Sequence, residues 1–256
     1  MTSLAEIVAA LRVEDEAWHG AIPTTWQQGR TAYGGLSAAL ALHAAKRVES
    51  DLPPLRSAQV SFIGPLSGAV TIRATKLRRG RNAAFVQADV TSDAGLGLRA
   101  TFVFMAPIAS GIALDQGSAP RFALPGPDTK TFHGMSAVPF TQNFELVDRR
   151  DGLGAAEWLR WVRLRERDGL DPEVAFMAVA DCLPPAAIKL AEGLVPLSSM
   201  TWLVNLVRPP ATTDGWWLLH AAADHAKDGA SSQRMAIWNA DGAAVAEQMQ
   251  SVAIFA

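Results

Sequence analysis

Between Gly34 and Val48 the chain places Leu36, Ala39, Leu40, Leu42, His43 and Ala44 among other small residues, with no breaker after the two glycines. A segment apolar on every side predicts a helix buried all round rather than one lying on a surface. After Asp51-Leu52-Pro53-Pro54 the pattern turns to extended runs at 56–63, 70–77, 84–91 and 98–105, separated by turns at Gly64-Pro65, Gly80 and Gly95. The first part therefore reads as one helix followed by four strands.

From 106 to about 138 the periodicity is lost, and Pro107, Pro120, Pro125, Pro127 and then Pro139 interrupt any regular element. Strands are expected again at 141–147 and at 157–166, where Trp158, Trp161 and Leu164 interleave with arginines. A second helix is predicted to start at Pro172, which suits the first helical turn, with Glu173 at the positive end of the dipole. It runs through Phe176 and Val179 towards Asp181, and Pro184-Pro185 ends it before a short helical piece reaching Glu192. Four extended runs close the chain at 199–207, 216–223, 232–239 and 245–255, with a hairpin signal at Asn239-Ala240-Asp241-Gly242.

The helix-then-four-strands unit thus occurs twice. A duplicated α+β architecture accounts for the length, because each sheet-plus-helix unit leaves an edge and an apolar face that its twin can cover. The expected division is a half at 1–110, a linker at 111–138 and a second half at 139–256.

Composition narrows the function. With a formal net charge of -2, the chain has no general field for attracting nucleic acid. Its one basic knot, Lys76, Arg78, Arg79 and Arg81, reads first as a solvated turn and second as a patch for a phosphate-bearing ligand. The single cysteine, Cys182, excludes an internal disulfide, which suits a reducing compartment. A leader sequence and a membrane-spanning run are both missing from the pattern, so a cytoplasmic protein is expected. His19, His43, His133, His220 and His225 lack metal-ligand spacing, and no metal or other cofactor is expected.

Four segments, in order, carry a resemblance: Gln28-Gly29-Arg30-Thr31-Ala32-Tyr33-Gly34-Gly35, Ala180-Asp181-Cys182-Leu183-Pro184-Pro185, the run from Ser199 to Pro209, and Val245-Ala246-Glu247-Gln248-Met249-Gln250. Together they resemble the TesB-like acyl-CoA thioesterase II family over nearly the whole chain. The resemblance implies a double hotdog, two tandem halves each with a curved antiparallel sheet wrapped around a long helix. It also implies a site in which an Asp, a Ser or Thr and a Gln orient water against a thioester carbonyl. By position these are Asp181, Ser199 and Gln250.

The family strand reads Thr, any residue, Asp, where this chain has Ser199, Met200, Thr201. Strand alternation puts Ser199 and Thr201 on one face, so either hydroxyl is a candidate. Tyr33, Gly34 and Gly35 are expected to bind substrate, the glycines by exposing backbone N–H groups at a helix start. The implied activity is acyl-CoA hydrolysis to free acid and CoA, with a homodimer as the expected assembly. The alternative is a non-catalytic acyl-CoA binding protein of the same fold. Cys182 beside Asp181 reads as a buried structural thiol rather than a nucleophile, since no histidine lies near it in sequence.

Overall fold

The computed structural model describes residues 2–193 and 195–255. Helix α1 (Leu4–Ala9) and strands β1 (Arg12–Glu14) and β2 (Ala17–Ile22) lead into a small hairpin, β3 (Gln27–Gln28) with β4 (Thr31–Ala32). The central helix α2 (Gly34–Ala45) is followed by β5 (Leu55–Phe62), β6 (Gly68–Arg79), β7 (Ala83–Ser92) and β8 (Gly95–Met105). The remainder comprises β9 (Phe144–Asp148), β10 (Glu157–Leu164), α3 (Pro172–Ala180), β11 (Leu197–Leu206), β12 (Trp217–Lys227), β13 (Ala230–Asn239) and β14 (Ala244–Ile254).

All strands but β3 and β4 join one 12-stranded sheet in the order β1-β2-β6-β7-β8-β5-β11-β14-β13-β12-β10-β9. The two runs of the chain meet at an antiparallel seam, β5 against β11, where Trp202 opposes Val60 and Val204 opposes Ala58. These four side chains point inward and are buried, so the seam continues the core instead of interrupting it. Both long helices lie against this inner face and pack on one another. Every residue of α2 from Gly35 to Ala45 is buried, as its all-round apolar pattern requires. Helix α3 starts on Asp171, whose Oδ1 accepts from the N–H groups of Glu173 and Val174 at 3.0 and 3.2 Å, with Pro172 at the first helical position.

One strand boundary needs correction, and one region lies outside the pattern read from the sequence. Residues 139–143 form a 3-10 turn beginning at Pro139, so the strand expected over 141–147 starts only at Phe144. The N-terminal region supplies a helix and two strands that the pattern from Gly34 onward does not include. Its helix is set by a capping box: the Ser3 hydroxyl accepts from the Glu6 N–H, and the Glu6 carboxylate accepts from the Ser3 N–H. The β1–β2 hairpin turns on Asp15 and Glu16 at φ 48° and 58°, a left-handed turn without the glycine that usually announces it.

Segment 106–138 forms neither helix nor strand; its middle lies against an outer cluster of the second half, and Phe132 and Val138 pack on the main core. Ala119 and Phe122 cover a cluster of Leu159, Trp161, Trp216, Leu218 and Trp238, and the Trp238 indole donates to the Gly117 carbonyl at 2.9 Å. Three of the eight tryptophans are thereby assigned to packing outside the main core. In the basic knot, Lys76 pairs with Glu49 and Arg79 with Asp51, a surface network close to the end of α2. No helix among the described residues is long and apolar enough to cross a membrane.

Candidate active site

The first turn of α2 meets the last turn of α3, and the contact is made by residues with no bulk to spare. Asp181 caps the C-terminus of α3, and a Cβ built on Gly34 would sit 2.5 Å from its Oδ2 and 2.9 Å from the Phe62 ring. Any larger residue must push one of them aside. The Gly35 N–H, free because first-turn amides have no intrahelical acceptor, lies on the carboxylate's side of the helix start and favours its ionised form. From the sheet side, Gln250 Nε2 donates to Asp181 Oδ1 at 2.9 Å.

Burial pushes the Asp181 carboxyl up to about 7, against the Gln250 amide and the Gly35 N–H, which favour its ionised form. It remains partly accessible to solvent. A carboxyl poised near neutrality, with an approach for water, is suited to moving a proton at physiological pH.

Gln250 lies on the inward face of β14, 2% exposed, between Trp202 of β11 and Gln233 of β13. Gln233 is fully buried, and its Nε2 donates to Gln250 Oε1 at 2.7 Å. Its own Oε1 accepts from the Ala186 N–H at 2.8 Å. Sequence reading passed over Gln233. The signal was its place in the inward row of β13 with Met235 and Ile237, where a polar side chain interrupts apolar ones.

The two candidate hydroxyls are separated by a β-bulge. Ser199 opposes Val252 and Thr201 opposes Ser251, so Met200 is an extra residue in β11. The expectation that alternation keeps 199 and 201 on one face is therefore corrected. Ser199 shares the inner face with Trp202 and Gln250, one cross-strand pair away from Gln250, while Thr201 is exposed on the outer face. Thr201 is turned away from Asp181.

Tyr33 also takes a different place. Its ring is 1% exposed, stacked on Phe140 with centroids 4.0 Å apart, and its hydroxyl donates to the Ala178 carbonyl of α3 at 2.8 Å. It braces the two helices from inside. A Cβ built on Gly35 would sit 2.6 Å from the Tyr33 ring, whereas one built on Gly34 would meet the Asp181 carboxylate.

Cys182 is buried and its thiol is pushed up to about 12, chiefly by desolvation, which leaves it without thiolate at neutral pH. Among the described residues no group of three or more His, Cys, Asp or Glu is placed to hold a metal ion.

The family model of the acyl-CoA thioesterase N-terminal domain matches residues 22–105, and that of the acyl-CoA thioesterase C-terminal domain matches residues 118–254. No sequence among the curated proteins matches the chain. Among solved structures, a conserved protein of unknown function with a hot dog fold from Alicyclobacillus acidocaldarius aligns with a TM-score of 0.86 at 23% identity, covering 100% of this chain and 99% of its own. The acyl-CoA thioesterase II TesB2 of Mycobacterium marinum aligns at 0.78 with 17% identity, over 98% of both chains. The tesB protein of Mycobacterium avium subs paratuberculosis aligns at 0.77 with 17% identity, over 99% of this chain and 100% of its own. At such identities the structures speak for the fold and the matched models for the family: this chain is a double hotdog protein that belongs to the TesB-like acyl-CoA thioesterases.

Proposed function

We propose that the chain hydrolyses an acyl-CoA thioester to the free acid and CoA, with Asp181 as general base and Gln250 and Ser199 holding the attacking water. The observation that carries this reading is the Asp181 carboxyl set against Gly34 at the start of α2 and accepting from the Gln250 amide, with burial raising it to about 7. Water bound at Asp181 gives a proton to the carboxylate as its oxygen bonds to the thioester carbon. Negative charge then develops on the carbonyl oxygen, which the remaining first-turn N–H groups of α2 stabilise at the positive end of its dipole. Collapse of the tetrahedral adduct breaks the C–S bond. The departing CoA thiolate takes the proton from Asp181, which regenerates the base.

Gly34 fits this role sterically, since a bare Cα lets both the carboxylate and a substrate carbonyl approach the helix start. Ser199 contributes from the inner face beside Gln250. The test is thiol release, read with a dithiodipyridine trap, from short, medium, long and aromatic acyl-CoAs, with Asp181→Asn as the blank. Release by the wild type alone supports hydrolysis and reports the preferred acyl group. No release on any substrate, with an acyl-CoA-induced rise in Tm, assigns the chain to acyl-CoA binding without turnover.

A further inference from the structure

We propose that Gln233 is a positioning residue that fixes which end of the Gln250 amide faces Asp181, through a one-way hydrogen-bond relay that starts at the backbone N–H of Ala186. This rests on the reading of Asp181 and Gln250 above and extends it to a residue that touches no substrate.

The direction of the relay follows from its first member. A backbone N–H only donates, so the Gln233 atom 2.8 Å from Ala186 N is the amide oxygen. The other end of Gln233 is then its NH2, which points at Gln250 from 2.7 Å, and the Gln250 atom that receives it is the oxygen. The NH2 of Gln250 is consequently left to face Asp181 Oδ1 at 2.9 Å. A side-chain amide by itself is free to turn over, and an amide oxygen against a carboxylate is repulsive. Here three successive contacts leave one arrangement.

Gln233 is fully buried, and its second N–H faces the Met235 sulfur at 3.4 Å, so both of its donors are engaged inside the protein. The strand register makes the contact obligatory, because Gln233 directly opposes Gln250 across β13 and β14. Ala186 belongs to the turn just after Pro184-Pro185, five residues beyond Asp181. The relay therefore ties the segment carrying the base back to the amide that serves it.

Two variants separate positioning from packing. Gln233→Met keeps length and burial but removes both the acceptor for Ala186 and the donor to Gln250. It is expected to lower kcat roughly tenfold with KM within about twofold, as for an interaction that matters in the transition state. The Asp181 carboxyl should titrate at higher pH in this variant, because an unfixed Gln250 donates to it less. Gln233→Glu in its protonated form reproduces the relay, with the carbonyl accepting from Ala186 and the hydroxyl donating to Gln250. Once ionised it only accepts, and it then draws the Gln250 NH2 towards itself. Its rate relative to wild type should be near one at acidic pH and fall as pH rises.

Both variants are to be followed by thiol release and by carboxyl carbon-13 titration of Asp181, assigned with Asp181→Asn. A higher Asp181 midpoint in Gln233→Met supports the relay whether or not the wild type turns over, so it is judged separately from the thioesterase reading. Unchanged titration midpoints in both variants would overturn the relay. So would a Gln233→Glu to wild-type rate ratio that is flat with pH.

Discussion

The α2–α3 pair has two junctions, and at each the N-terminus of one helix meets the C-terminal end of the other with a carboxylate between them. At one, Asp181 faces the start of α2 and accepts from the Gln250 amide, and burial pushes it up to about 7. At the other, Asp171 caps α3, and Lys46 at the end of α2 lies 2.6 Å from Asp171 and 2.7 Å from Glu173. Burial also pushes Asp171 up, but the Lys46 ammonium and the N–H groups of Val174 and Glu173 outweigh it and hold the carboxyl below its usual value. Glu173 is further fixed by accepting from the Leu55 N–H at 2.7 Å. Helix dipole and burial are common to both ends, so a neighbouring cation and the number of hydrogen bonds decide which carboxylate is inert and which can exchange a proton.

The largest expected effect comes from breaking the poised end. Asp181→Asn should lower kcat by about 100- to 10,000-fold while leaving acyl-CoA affinity within a few fold, measured by thiol release and by ligand-induced shifts in Tm. The same change has an opposite effect on stability. A carboxyl whose folded pKa is raised disfavours the folded state increasingly as pH rises from its unfolded value to about 7. Asp181→Asn should therefore match wild type near pH 4 and be more stable at pH 8. The upper limit of the gain is about 4 kcal/mol, reduced by the solvent that reaches the group, and denaturant unfolding at the two pH values checks it.

Next in size is Gly34→Ala, whose added methyl group must displace Asp181 or Phe62. A misplacement of this order should cost about 100-fold in kcat. Ser199→Ala should lower kcat by roughly tenfold, the loss of one hydrogen bond, and Thr201→Ala should leave it unchanged because the bulge at Met200 turns that hydroxyl outward. Equal losses in the two would contradict the inner and outer assignment.

Lys46→Met, at the inert end, should have no effect on kcat. It should lower stability by about 1 to 3 kcal/mol by leaving Asp171 and Glu173 without their cation. A loss of turnover there without a loss of stability would remove the distinction between the two junctions.

Much of this architecture was legible in one dimension because its elements carry strong periodicity. The helix at 34–48, the strands after Pro54 and the helix opening at Pro172 all correspond to elements of the structure, with ends displaced by a few residues. What escaped was set by local chemistry that periodicity does not register. The N-terminal helix is only six residues long and rests on a Ser3–Glu6 capping box, and the β1–β2 turn uses Asp15 and Glu16 instead of glycine. At the site, Asp181 and Gln250 came from motif position, and the structure brings them into contact. Ser199 and Thr201 could not be separated because a bulge changes the face of every residue beyond it. Tyr33, next to two glycines at a helix start, gave no sign that its hydroxyl is satisfied by Ala178, 145 residues away. Gln233 matters through its cross-strand partner, and partners are a property of register rather than of sequence.

The central claim, that Asp181 acts as base, is tested most directly by the pH dependence of kcat/KM for thiol release, which reports the free enzyme. Between pH 5 and 9, after subtraction of uncatalysed hydrolysis, the rate constant should rise about tenfold per pH unit and level off with a midpoint near 7. Asp181→Asn should leave only a small remainder without that midpoint. A wild-type profile that is flat across this range, or an Asp181→Asn protein with the wild-type rate and profile, would contradict the account.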